Sequence, residues 1–419
     1  MKCIKNKIME PIFYIIIITA IVFEYLISST STILNMNSIS ETLPKGFEGV
    51  YDEDKYAKSQ KYLKSNSQFS LFSSSFSFLL IMVVIHFGFF GILDEFVRSK
   101  TTNPVYAGLV FFLIIFVIND LINLPFSLFK NFVIEEKFGF NKMTISIFIK
   151  DKLKSYFLIF FIGGITMFLI LSFFNYFDEF GWLIVWIFLT FFSILIQPIF
   201  IHFIAPMFNK FTPLGDGELK TAIAKYSKKN NFPISKIDIM DGSKRSNHSN
   251  AYFTGFGKSK RIALFDTLVK NHNTDEIVSV VAHEVGHYKK KHILFGMIVS
   301  VIQTGLMLFL FNIIINRVGL FNVFGVSEPS IYGGLVFFGL LFAPLNMVIS
   351  LISIAISRKN EFEADQYALE TTKNPKALIS MLKGLASSNL SHLTPHPFTV
   401  FLEYSHPPVY ERVKKIEKK

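Results

Sequence analysis

The sequence has one cysteine, two tryptophans and few charges, and two of these shortages each remove a class of explanation. The single cysteine, Cys3, cannot close an intrachain disulfide, and it excludes a zinc site built from paired cysteines. Any metal chemistry must therefore use histidines and carboxylates. Charged residues make up only 17% of the 419 positions, against roughly 25% in soluble domains, while 51% are hydrophobic and mean hydropathy is +0.43. This is the composition of a membrane protein. The 42 Lys and Arg exceed the 31 Asp and Glu, and the excess lies between long apolar runs rather than within them. A net charge of +11 so distributed suits cytoplasmic flanks facing anionic lipid and gives no reason to expect nucleic acid.

Seven runs approach the length of about 20 residues that a spanning helix needs: 11–28, 69–93, 104–124, 156–174, 181–204, 292–315 and 332–357. The expected fold class is an all-α multi-spanning membrane protein. The first run has a second reading, because Lys2, Lys5 and Lys7 ahead of Ile12–Phe23, with Ser28-Ser29-Thr30 beyond, also fit a secretory signal peptide. Lysines crowd the loops at about 29–68 and 125–155, whereas the loop 175–180 has none and the one after the sixth run has only Arg317. The positive-inside rule then puts the odd loops and the C-terminus in the cytoplasm and the N-terminus outside, against the three N-terminal lysines.

The chain divides into 1–204 with the first five runs, a hydrophilic insertion 205–291, the last two runs 292–357, and a helical segment 358–419 interrupted at His392–Pro397. Within the insertion the pattern predicts turns over Pro206–Leu214, a helix over Gly217–Lys229, and strands at Lys236–Met240, Ala251–Phe256 and Arg261–Val269. The last two strands are joined by Gly257-Lys258-Ser259-Lys260, so a small β-sheet is expected. Asn273, with Glu276 three residues on, predicts a capped helix.

That helix carries His283-Glu284-Val285-Gly286-His287. Histidines at i and i+4 share one helical face and suit two positions of a tetrahedral zinc, one ion per chain, and Glu284 beside them is the base that activates water. A catalytic zinc needs a third protein ligand. The last two runs form a membrane hairpin, so the chain leaves one membrane face after His287 and returns to it at Ser357, directly ahead of Glu361. Glu361 is the expected third ligand, and Asp365, one turn further, could accept the outer N–H of a liganding histidine. Glu361, Glu363 and Asp365 also fit a solvated acidic face. His248, His272, His292, His392 and His396 read as loop or interface residues, and His86 and His202, in or at the edge of spans, as residues that bond to neighbouring helices or face a cavity.

The metal motif together with Glu361-x-x-x-Asp365, Ser249–Phe253, Phe265–Leu268, Ser405-His406-Pro407-Pro408, Glu411-Arg412, Phe132–Thr144 and Ala205–Leu214 resembles the type I CAAX prenyl protease family from about the first loop to the C-terminus. The resemblance implies a ring of seven transmembrane helices around an intramembrane chamber, with a cytoplasmic zinc-protease part that carries the small sheet. It also implies that Asn250, Ala251 and Tyr252 form an edge strand for an extended substrate, and that His406 and Arg412 stabilise negative charge on it. The implied substrate is a protein prenylated at a C-terminal cysteine, cut three residues from its end; a quality-control protease without prenyl dependence and a transporter or channel with structural zinc are the alternatives. A monomer is expected, in the endoplasmic reticulum membrane if the source is eukaryotic and in the plasma membrane if bacterial.

Overall fold

The computed structural model describes residues 2–232, 234–254 and 261–418. Five helical segments are long and apolar enough to cross a membrane: Pro11–Asn37, Glu53–His86, Pro104–Glu135, Ile145–Phe208 and His292–Ile314. A sixth is formed if Ile331–Leu341 and Ala343–Thr372, which meet at 60° beside Pro344, count as one. By this measure the count is five or six rather than the expected seven. The difference arises in Ile145–Phe208, whose 64 residues would extend about 96 Å, three times the hydrocarbon thickness. This segment contains both the fourth and fifth expected runs. It reverses at Asp178–Phe180, where Asp178 has φ 44°, and its two halves, Gly164–Phe177 and Gly181–Ile199, pack on each other.

The first helix runs unbroken from Lys2 to Asn37 and buries Ile17, Ile21, Ser29 and Ser31.

One end of the helix bundle closes on an aromatic core. Phe90, Phe111, Phe311, Phe321, Phe324, Phe337 and Tyr332 are buried there, with Phe337 stacked on Phe324 at 3.9 Å. Backbones touch as well, since a Cβ on Gly91 would lie 2.2 Å from the Gly325 carbonyl oxygen. Asp94 is buried in this end and accepts hydrogen bonds from the Tyr332 hydroxyl at 2.6 Å and Arg98 Nε at 2.7 Å.

Away from that end the helices stop packing. Residues 61–84, 112–133, 149–170, 186–204, 291–304 and 341–360 include no buried residue, although a solid bundle would bury one face of each helix. The helices therefore surround a hollow. Polar groups at this depth support the same conclusion: Asp120, a quarter exposed, pairs with Lys152 at 2.5 Å and accepts from the Tyr156 hydroxyl at 2.6 Å.

The insertion forms a four-stranded sheet in the order β1-β2-β4-β3, from Phe211–Pro213, Lys236–Met240, Arg261–Phe265 and Ala251–Thr254 respectively. β2 and β4 are parallel, and the outer pairs are antiparallel. Two expectations need correction. Pro206–Leu214 holds a short strand as well as turns, and the strand beginning at Arg261 ends at Phe265 because Asp266 accepts the Ser243 and Thr267 N–H groups and opens the helix Asp266–Asn271. Phe256 and the turn Gly257–Lys260 lie outside the described residues.

Candidate metal centre

The helix Thr274–Lys289 starts with a reciprocal cap: Asn273 Oδ1 accepts the Glu276 N–H at 3.0 Å, and Glu276 Oε2 accepts the Asn273 N–H at 3.2 Å. Its residues Ile277, Val280, Val281 and Val285 are buried in one core with Leu378, Leu382 and Val413. Each such side chain contributes roughly 1.5–3 kcal/mol, and together they set the rotation of the helix. His283 and His287 then share a face with their Nε2 atoms 3.1 Å apart.

Glu361 arrives on the helix Ala343–Thr372. Its Oε2 lies 3.4 Å from His283 Nε2 and its Oε1 lies 3.3 Å from His287 Nε2. Gly286 is what lets the two helices meet, because a Cβ there would stand 3.0 Å from the Ala364 Cα and 3.1 Å from its oxygen. Each Nε2 thus faces one Glu361 oxygen at 3.3–3.4 Å, close to the edge of a tetrahedron with ~2.0–2.1 Å bonds, about 3.3 Å, and one ligand atom from each of the three residues lies within 4.8 Å of the others. Asp365 Oδ1 is 3.0 Å from His283 Nδ1, and an ionised carboxylate can only accept, so that nitrogen carries the proton and Nε2 presents a lone pair. Glu361 Oε2 is buried without a hydrogen bond. Lone pairs this close repel one another unless a cation sits between them, so the donors fit a metal ion.

Arg412 supports the arrangement from the helix Val409–Glu417. Its Nε and Nη2 donate to Asp365 at 2.8 and 2.6 Å, and its Nη1 is 3.4 Å from Glu361 Oε2. Burial pushes the Asp365 carboxyl up, but the guanidinium and His283 outweigh it and bring the group to about 2. His406 sits in the exposed loop ahead of that helix, with Nε2 3.2 Å from Glu361 Oε1. Glu284 is half-buried between these groups, and loss of water is the main cause that raises its carboxyl above the usual range.

β3 pairs only with β4 among the described residues, which leaves its outer edge free beside the motif helix. Asn250 is exposed at its start, with its carbonyl taken by the Phe265 N–H at 3.1 Å; Tyr252 is half-buried and meets Phe265 edge-on. The approach to this strand is held by Arg245, which sequence reasoning missed. Its guanidinium donates to both Asp151 oxygens at 2.6 and 2.9 Å, to Asn209 Oδ1 at 2.9 Å and to the Phe208 carbonyl at 2.7 Å. The loop at Phe140 lies alongside, with its ring stacked on His248 at 3.9 Å. Asn389 Oδ1 accepts the Ser249 N–H at 3.0 Å, as a neighbouring strand would. Asp151, Asn209 and Asn389 are far apart in the chain and nothing in their spacing pairs them with this strand.

His292 was also missed. Lys291, with φ 60°, follows the motif helix and is the N-cap of the next, and this turn brings His292 Nδ1 to 3.1 Å from His287 Nδ1. His292 Nε2 is 3.2 Å from Glu363 Oε2. A histidine five residues beyond a motif histidine, across a break in the helix, was the available signal.

Fold and site together define a multi-spanning membrane protein with a metallopeptidase centre. Comparison with known proteins leads to the same class. Residues 32–210 match the CAAX prenyl protease N-terminal profile, described as five membrane helices, and residues 213–419 match peptidase family M48. CAAX prenyl protease 1 of Saccharomyces cerevisiae is 37% identical, over 94% of this chain and 93% of that one, and the Homo sapiens homolog is 32% identical over 90% and 88%. The crystal structure of S. mikatae Ste24p aligns with a TM-score of 0.92 at 35% identity, covering 97% of this chain and 99% of that one. The chain belongs to the CAAX prenyl protease 1 family of M48 peptidases and is a multi-pass membrane metalloprotease.

Proposed function

We propose that the metal is zinc, held by His283, His287 and Glu361, and that the enzyme removes the last three residues of proteins prenylated at a C-terminal cysteine. The observation that carries the metal assignment is the convergence of the two Nε2 atoms, 3.1 Å apart, on the Glu361 carboxylate, whose two oxygens lie 3.4 and 3.3 Å from them. When bound, the metal polarises the scissile carbonyl and acidifies water. Glu284 takes the proton of the attacking water and returns it to the leaving amine, a task that its raised pKa suits. His406, 3.2 Å from Glu361, and the Nη1 of Arg412, 3.4 Å from it, stabilise the oxyanion as it forms. Asp365 holds the His283 ring in the ligating tautomer. Asn250, Ala251 and Tyr252 pair with the substrate main chain as an added strand, so that backbone rather than side chain is recognised.

The substrate class is supported by the relatives, which are named CAAX prenyl proteases in yeast, plant, mouse and human. Prenylation is a eukaryotic modification, and with these relatives the endoplasmic reticulum is the membrane of choice. The lysine-rich loops support seven crossings with residues 205–291 and 358–419 in the cytoplasm, and the enclosed site supports a monomer.

The test is mass-spectrometric mapping of cleavage in matched peptides ending in a CAAX sequence, with and without an isoprenyl group and with and without a zinc chelator. Loss of the terminal tripeptide from the prenylated peptide only, blocked by chelator, is the expected result. Equal cleavage of both peptides would overturn the substrate assignment, and cleavage unaffected by chelator would overturn the metal.

A further inference from the structure

His287 and His283 present Nε2 to the same point but are backed differently. His283 has an ionised carboxylate behind it, and His287 has another histidine, with Glu363 behind that. Two ring nitrogens 3.1 Å apart must be one donor and one acceptor. If His287 binds the metal through Nε2 as a neutral ring, its proton is on Nδ1. His292 Nδ1 must then accept that hydrogen bond, and the remaining His292 proton is on Nε2, where Glu363 Oε2 receives it at 3.2 Å. The opposite order would place a proton on His287 Nε2 and remove it as a ligand. Only one direction of the chain is compatible with ligation.

We infer that His292 and Glu363 are positioning residues that hold His287 in its ligating tautomer and orientation, through the relay Glu363–His292–His287. The inference rests on the zinc reading above. Burial of the His292 side chain, 9% exposed, protects the inner hydrogen bond from water, and the left-handed Lys291 aims the ring at His287. Glu363, 38% exposed and also 3.7 Å from Lys359 Nζ, is the outer end of the relay. It stands away from the donor triangle and has no ligand role.

Removing a hydrogen-bond partner behind a liganding histidine weakens metal binding by about 10–100-fold. The experiment is a zinc dissociation constant from competition with a chromogenic chelator, measured on the purified full-length protein. His292→Ala is expected to bind zinc about 10–100-fold more weakly, and His292→Asn, whose amide oxygen can stand in for Nδ1, within about threefold of the parent. Glu363→Ala, at a site exposed enough to fold normally, is expected to lose about three- to tenfold, and Glu363→Gln to recover most of it. Parent-like affinity in His292→Ala, or equal losses in His292→Ala and His292→Asn, overturns the relay; if His292→Ala does not fold, parent-like affinity in Glu363→Ala does so. His283→Ala in the same assay separates the two readings. Unchanged zinc there sinks the metal site itself, whereas loss there beside parent-like His292→Ala sinks the relay alone.

Discussion

The two ends of the helix bundle are closed by opposite means. At one end, aromatic rings fill space: Phe337 is fully buried among Phe90, Phe321 and Phe324, and the charged group there, Asp94 with Arg98 and Glu328, is a minor feature. At the other, buried charges are aimed at a point: Glu361, Asp365, His283 and Arg412 are all buried and interlocked. Between them, the helices other than the first bury nothing over stretches of 14 to 24 residues. A hollow protein therefore needs one end that supplies stability through apolar volume and can leave the other to hold charges in a geometry set by chemistry. Burying unpaired charge is costly, so the catalytic end is tolerable only because each carboxylate has an assigned partner.

Four changes would break or sharpen this contrast. Glu284→Gln keeps shape and metal and removes the base, so kcat is expected to fall about 10²–10⁴-fold with zinc content and thermal stability unchanged; a stability loss instead would mean that the charge is structural. Phe337→Ala, at the other end, is expected to cost about 3–5 kcal/mol of stability while cleavage per folded molecule stays constant. Denaturant unfolding alongside specific activity decides it, and a fall in activity at constant folded fraction would show that the two ends are coupled.

Gly286→Val would force apart the helices that carry His287 and Glu361. A cost of about 1–3 kcal/mol is expected, with weaker zinc binding, read by thermal unfolding and metal analysis. The smallest effect concerns His392, which burial holds below its ordinary value of 6.5 and whose Nδ1 accepts the Thr394 N–H at 3.2 Å. Below pH 6.5 the unfolded chain takes up the proton first, so stability is level above that pH and declines beneath it. His392→Asn should flatten that decline between pH 7 and 5 in thermal unfolding; an unchanged slope would assign the acid sensitivity to other groups.

Much of the near end was legible because local rules govern it. The cap at Asn273 and Glu276, the motif spacing and the strand Lys236–Met240 all depend on neighbours within a few residues, and each stands where the pattern put it. Glu361 was legible through the hairpin, which left a solvated acidic face as the alternative, and through the family resemblance, which did not. The strand end at Phe265 was misjudged because an apolar run, Arg261–Val269, continues past the point where the helix Asp266–Asn271 begins. Arg245, Asn389 and His292 were missed for a different reason. Their partners Asp151, Ser249 and Glu363 are between 71 and 140 residues away, and only His292 has a local link as well, to His287 five residues before it.

By itself the sequence determined that this is a membrane protein with a His-Glu metal motif, because apolar run length and helical periodicity are properties of contiguous residues. Only the tertiary structure decided that the helix middles enclose a hollow and which groups back each histidine. Those outcomes depend on how distant helices share volume and how distant polar groups find partners, and neither is written in the spacing of residues along the chain.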